Sequence, residues 1–320
     1  MFPLLLPLIT DTIIAPPQDF EDLFVNEWGV VVFTSAGTTL TGAPDERGNV
    51  YYGREVFGPL IVDAPVIWIH GASFEEATLT VKAAQGWLTT LFPEPDTTLG
   101  DDMPVVASWN ITAPPPPARS ERPELIIPPD TPFGWAMNFW RAVPSLDLFS
   151  TSTGEYMANF LYYEAGIPFW EAPDGIYEAE ILAGYYATEG LVITTGSKPT
   201  VERIQLVPLP HGAGSPVHTA GHLLDHEICD IICGWAAGNL KSEEITALWQ
   251  TWEPFFMTQG IDGINDEIMA DREGLEQRWI LFPLPWDVVE DISTIRLEVH
   301  DSVDRNITYN RLFLGLVRVY

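Results

Sequence analysis

Thr78-Leu79-Thr80-Val81-Lys82-Ala83 alternates polar and aliphatic side chains with a period of two. A pleated strand turns successive side chains to opposite faces, so Leu79, Val81 and Ala83 should be buried and Thr78, Thr80 and Lys82 wet. The flanking sequence repeats the theme. Val30-Val31-Val32-Phe33, Pro65-Val66-Ile67-Trp68-Ile69 and Val105-Val106-Ala107-Ser108-Trp109 are short runs rich in β-branched and aromatic residues, with Gly and Pro between them. That rhythm belongs to a sandwich or barrel.

Further along, Met157–Tyr163, Ile176–Leu182, Leu191–Thr195 and Val201–Val207 read as strands, as do Trp279–Phe282, Ile295–Val299 and Leu312–Tyr320. A turn over Asp301–Asn306 is expected to join the last two into a hairpin. A helix is expected over residues 217–237, ending near Gly238-Asn239. A second should start at Ser242, a suitable N-cap followed by Glu243 and Glu244, and run to about 259. Pro254 should kink or end it. The fold class is therefore mainly β with a helical hairpin (α+β): two β-sandwich-like segments plus a C-terminal sheet packed with two helices.

Seven prolines between residues 113 and 129 favour polyproline II and cannot donate ladder hydrogen bonds. They divide the chain into a β-sandwich-like domain (19–112), a Pro-rich linker (113–129), a second β-rich domain (130–210) and a segment holding the helical hairpin and last strands (211–320). Residues 1–18 form an apolar leader whose length suits a signal peptide and is too short to span a bilayer. The expected location is secreted, periplasmic or on the cell surface, with no membrane span in the mature chain.

Charge narrows the partners. There are 45 Asp plus Glu against 15 Lys plus Arg, a formal net charge of −30. Phosphate backbones and anionic headgroups are repelled by such a surface, which excludes nucleic acid and anionic membranes as expected partners.

Four of the six histidines and both cysteines fall within residues 211–233: His211, His218, His222, His226, Cys229 and Cys233. On a helix at about 100° per residue, all but His211 share one arc with Asp225. Imidazole with thiolate is a ligand set for zinc or copper. His222 and Cys233 would lie roughly 16 Å apart along the axis, too far to share one ion. A single ion could take His222 with His226, and Cys229 or Asp225, with a further ligand from His211, His300 or a carboxylate. The alternative is that this flank packs under a strand, its cysteines acting as small core hydrophobes.

Other features are weaker. Asp262-Gly263-Ile264-Asn265-Asp266-Glu267 gathers oxygen donors without the EF-hand spacing. Of twelve tryptophans, Trp68, Trp87, Trp109 and Trp279 sit in apolar runs, whereas Trp28, Trp135, Trp140 and Trp170 could stack on sugars. No Gly-x-Ser-x-Gly elbow, Walker loop, dinucleotide fingerprint or His-Glu-x-x-His motif occurs.

A set of motifs carries a resemblance. Val25-Asn26-Glu27-Trp28-Gly29 is similar to an opening "EWG" motif, and Ala64–His70 to a "tPVlYFY" strand. Gln85–Pro93 resembles "qGlitewYP", Asn159–Gly166 resembles "kFLFYRGvG", and Ala247–Trp252 and Trp279–Pro285 resemble an "mv-TW" helix and an "RvLYlLP" strand. In this order, over about residues 25–320, the chain resembles a family of uncharacterised secreted microbial β-rich proteins. Phe92 stands where that pattern has Tyr, Glu164 where it has a basic residue, and 259–274 reads as an insertion. The resemblance implies export and a β-rich fold and carries no activity or site residue. The expected function is binding or a structural role at a surface. A metalloprotein (zinc or copper, with hydrolysis as one use) and a glycan-binding protein are the alternatives.

Overall fold

The computed structural model describes residues 22–35, 57–100, 103–115, 122–129, 131–167, 179–196, 198–206, 217–257 and 277–319. The leader, His211, Trp170 and the 262–267 cluster lie outside them.

The strands in chain order are β1 (Leu23–Ser35), β2 (Phe57–Gly71), β3 (Phe74–Ala83), β4 (Trp87–Phe92), β5 (Thr97–Leu99), β6 (Val106–Ala113), β7 (Leu148–Ser150) and β8 (Tyr156–Ala158). They continue with β9 (Leu161–Ile167), β10 (Glu189–Thr194), β11 (Thr200–Gln205), β12 (Val217–His222), β13 (Arg278–Pro283), β14 (Ser293–Val299) and β15 (Ile307–Val319). The helices are α1 (Met137–Ala142), α2 (Ala179–Tyr186), α3 (Asp225–Trp235), α4 (Ser242–Met257) and α5 (Trp286–Ile292). Two sheets result: one of order β12-β11-β10-β13-β15-β1-β2-β9-β4, the other β14-β3-β6-β7-β8 with β5 added on β6. The protein is mainly β with helices, as its sequence pattern predicts.

β1 shows why the large sheet sits in the middle. Leu23, Val25, Val31 and Phe33 join one core with Leu79, Val81, Trp109 and Ile111 of the smaller sheet. Trp28, Val30 and Val32, on the other face, join a second core with Trp140, Ile228, Ile232 and Trp249 of α1, α3 and α4. Burial on both faces explains the unbroken apolar run Val30–Phe33. β3 is covered on one face only, and Ala77, Leu79, Val81 and Ala83 are buried while Lys82 is exposed. At Gly315 a Cβ would lie 2.4 Å from Cζ of the buried Phe282 ring, so the close approach of β13 and β15 requires glycine there.

Several expectations are corrected. The large sheet takes strands from each of the three segments 19–112, 130–210 and 211–320, so they interleave rather than form separate sandwiches. Strand pairing spans the proline run. β6 before it pairs with β7 after it. Arg122 donates to the carbonyls of Arg141 (2.6 Å) and Ser145 (3.0 Å) and pairs with Asp147 (2.7 Å), strapping residues 122–129 onto the body. β14 and β15 make no hairpin: β14 pairs with β3 and β15 with β13 and β1, in different sheets. The Asp301–Arg305 ion pair (2.6 Å) braces the passage between them.

Within the expected strand 176–182, residues 179–182 open α2. Ala179, Glu180, Leu182 and Ala183 are good helix formers, and Leu182 and Ala183 are buried in the core between the sheets. α4 continues past Pro254 to Met257. The single helix expected over 217–237 is two elements. Residues 217–222 extend along β11, with Ile204 opposite His218 and Glu202 opposite His222. The helix starts only at Asp225, where the Glu227 carboxylate accepts the Leu224 N–H (2.8 Å).

Candidate functional site

The break at residues 223–224 divides the His/Cys stripe. His218 and His222 lie on β12, and the His222 Nδ1 accepts the Val201 N–H at 3.4 Å. His226, Cys229 and Cys233 remain on α3 with Asp225. Together with Ile245, Trp249 and Glu253 of α4 they line a groove of about 410 Å³. Trp249 donates its indole N–H to Asp225 at 3.2 Å. His300 pairs with Thr78 of β3 instead (2.9 Å). Among the described residues no group of three or more His, Cys, Asp or Glu is placed to hold a metal ion. The shared edge proposed for zinc or copper depended on one continuous helix, and that helix does not exist.

Both cysteines are free thiols. Burial, with Asp225, Asp230 and Glu253 nearby, pushes the Cys229 thiol up to about 11. It is therefore protonated at neutral pH, whereas metal ligation and nucleophilic attack both use the thiolate. In a Cys233→Ser background, the rate of reaction with Ellman's reagent should rise about tenfold per pH unit from pH 7 to 9 without levelling. A plateau inside that range would show an ordinary thiol.

A larger cleft, of about 770 Å³, lies beside the edge strand β4. One wall is Thr90, Phe92 and the turn Pro93–Asp96. Another is the strapped segment through Glu124, Ile126 and Pro128, and the third comes from Ser150, Thr153, Glu155, Tyr156 and Met157. Ile126 is 87% exposed at its rim. Phe149 braces Tyr156 edge-on at 5.5 Å. Four carboxylates (Glu94, Asp96, Glu124 and Glu155) line this space, and no Lys, Arg or His does so among the described residues. Asp96 also accepts the Asn110 N–H at 2.7 Å, which fixes the turn. Arg122 and Arg141 both act electrostatically on Tyr156, and they donate to backbone carbonyls and Asp147.

A carboxyl pair, Asp63 buried and Glu164 half-buried, adjoins that wall. Thr90 stands opposite Glu164 in the β4–β9 ladder and donates its hydroxyl to Oε2 at 2.6 Å. Tyr162 donates to Oε1 at 2.5 Å. On the other side of β9, the β2 ladder slips between Val62 and Val66, and Asp63 sits in this bulge next to Ala64 at φ +50°. Burial, with Glu164 beside it, pushes the Asp63 carboxyl up to about 8. Burial also raises Glu164, against the lowering effect of Thr90 and Tyr162.

Two further polar clusters are structural. Glu244, fully buried at the start of α4, accepts from Asn26 (3.0 Å), His70 (2.7 Å) and the Lys241 N–H (2.6 Å). It pins the helix layer to β1 and β2. Arg311 joins Glu27 (2.5 Å), Glu290 (2.7 Å) and Ser293 (2.8 Å) on the opposite face.

The tryptophans expected to stack on sugars are placed differently. Trp28 and Trp140 are wholly buried, and Trp135 is exposed but lies outside the lining of the cleft. Thr90, Tyr156, Asp63 and Glu164 escaped the sequence reading as site residues. Asp63 alone carried a signal, a lone carboxylate inside the apolar run Leu60–Ile67. Comparisons with protein-family models, with curated proteins and with solved structures return no match, so the site is read from its geometry.

Proposed function

We propose that the protein is an exported binding protein that holds a neutral glycan in the cleft beside β4. One observation carries this reading: the 770 Å³ cleft combines an aromatic ring, a rim of carboxylate and hydroxyl groups, and no cationic side chain among its described lining residues. Its volume suits an oligosaccharide segment. The apolar face of a sugar can lie on the braced Tyr156 ring while its hydroxyls donate to Glu94, Glu124 and Glu155. Anionic ligands are disfavoured by those carboxylates and by the net charge of −30. The acidic surface and apolar leader support a location outside the cytoplasm.

An array of neutral oligosaccharides, followed by calorimetry on the best ligand, tests the reading. Tyr156→Ala should weaken binding about tenfold, the scale of one aromatic contact, while Tyr156→Phe should bind as wild type. Failure of the wild-type protein to bind any array member, or unchanged affinity in Tyr156→Ala, would refute it.

A further inference from the structure

Behind the Thr90 wall, the carboxyl pair has an arrangement that cleft binding does not require. Glu164 occupies the middle of a three-strand seam, with Thr90 of β4 across from it on one side and the β2 bulge on the other. β4 is the last strand of the sheet's order and is held in it through β9. Among the described residues its other backbone tie is the Leu88 N–H to the Pro104 carbonyl, at 2.7 Å. Whatever moves β9 away from β2 therefore moves the wall of the cleft.

The groups facing the pair come from every neighbouring element. Asp63 is contributed by β2, Glu164 and Tyr162 by β9, and Thr90 by β4. From the helix layer the rings of Phe133 and Trp140 stand 6.5 and 5.0 Å from the Tyr162 ring. No Lys, Arg or His acts on Asp63 or Glu164 among the described residues. Glu164 has two hydroxyl donors that can stabilise its anion. Asp63, only 8% exposed, has no side-chain hydrogen bond among the described residues, and Glu164 acts on it electrostatically.

We propose that Asp63, held protonated next to the Glu164 carboxyl across the β2–β9 seam, acts as a latch on β4. With the proton in place β9 and β4 stay seated against β2, and its loss sets two anions across the seam and loosens the edge strand. The proton leaves Asp63 for solvent, and no other group changes charge. Ala64 supports the geometry: a left-handed, buried, non-glycine residue is held at the bulge that places Asp63. The raised Asp63 carboxyl sets the release in mildly alkaline solution.

The latch concerns the wall of the cleft assigned to glycan, but its test uses no ligand, so either proposal can fail without the other. Hydrogen–deuterium exchange of the full chain is followed at pH 7, 8 and 9, corrected for the intrinsic rate. Protection of the amides in 88–92 should fall about tenfold across that range, while those of β13 and β15 hold. In Asp63→Asn, a permanent mimic of the protonated acid, the protection of β4 should stay constant. Constant protection of β4 in the wild type would overturn the latch, as would an equal loss in the Asp63→Asn variant.

Discussion

Asp63→Asn is expected to make the protein more stable at pH 7, by roughly 3–4 kcal/mol. The folded chain holds the Asp63 proton up to about pH 8, whereas the ordinary carboxyl releases it near 3.8. Between those values the folded state binds more protons than the unfolded one, so stability falls as pH rises. Wild-type protein should lose stability from about pH 4 to about pH 8 and then level off. Asparagine keeps the shape of the protonated acid and does not titrate, so the gap between variant and wild type opens over the same window. Urea midpoints measured from pH 5 to 9 would show two diverging curves. Parallel curves, or a less stable variant at pH 7, would mean that Asp63 is ionised at no cost in its bulge.

Arg311→Met should act in the opposite direction, lowering stability by about 3–5 kcal/mol. The guanidinium is 1% exposed and joins Glu27, itself wholly buried, to Glu290 and the Ser293 carbonyl. Removing it leaves a carboxylate inside the protein with only the Tyr163 hydroxyl (2.7 Å) to stabilise it. Burial already raises the Glu27 carboxyl against the pull of Arg311, so in the variant it should take up a proton more readily still. The deficit should therefore shrink as pH is lowered. Arg311→Lys keeps the charge without the planar fork and should fall between. The double variant Glu27→Gln with Arg311→Met should recover much of the loss, because no charge is then stranded. Denaturant titration of wild type, Glu27→Gln, Arg311→Met and the double variant measures the coupling, and equal losses in Arg311→Met and the double variant would show that packing alone matters at this site.

The strands were legible wherever pattern and environment agreed. β3 alternates because one side is covered, and its period shows in the residues; β1 is buried on both sides and reads as an unbroken apolar run. The helix expected over 217–237 failed for a different reason. Arc geometry counts side-chain spacing and is blind to the partner strand, and pairing with β11 holds 217–222 extended. The expected hairpin of 295–299 with 312–320 failed similarly, since sequence adjacency does not say which of two sheets a strand will join. Of the candidate site, the cysteines and His226 were visible and do share a groove. The cleft walls come from residues 89–96, 124–132 and 150–157, and their meeting depends on long-range register. Nothing local to any of those stretches announces it.

The middle of the large sheet is a parallel pair, Leu23 beside Ile307 through Phe33 beside Val317. Each of these β1 residues thus pairs with one 284 positions further along the chain. Without β15, β1 has a partner strand on the β2 side only, and the central layer cannot close. Contacts so remote along the chain make assembly slow. The central layer of the large sheet therefore closes only when two segments far apart along the chain have met.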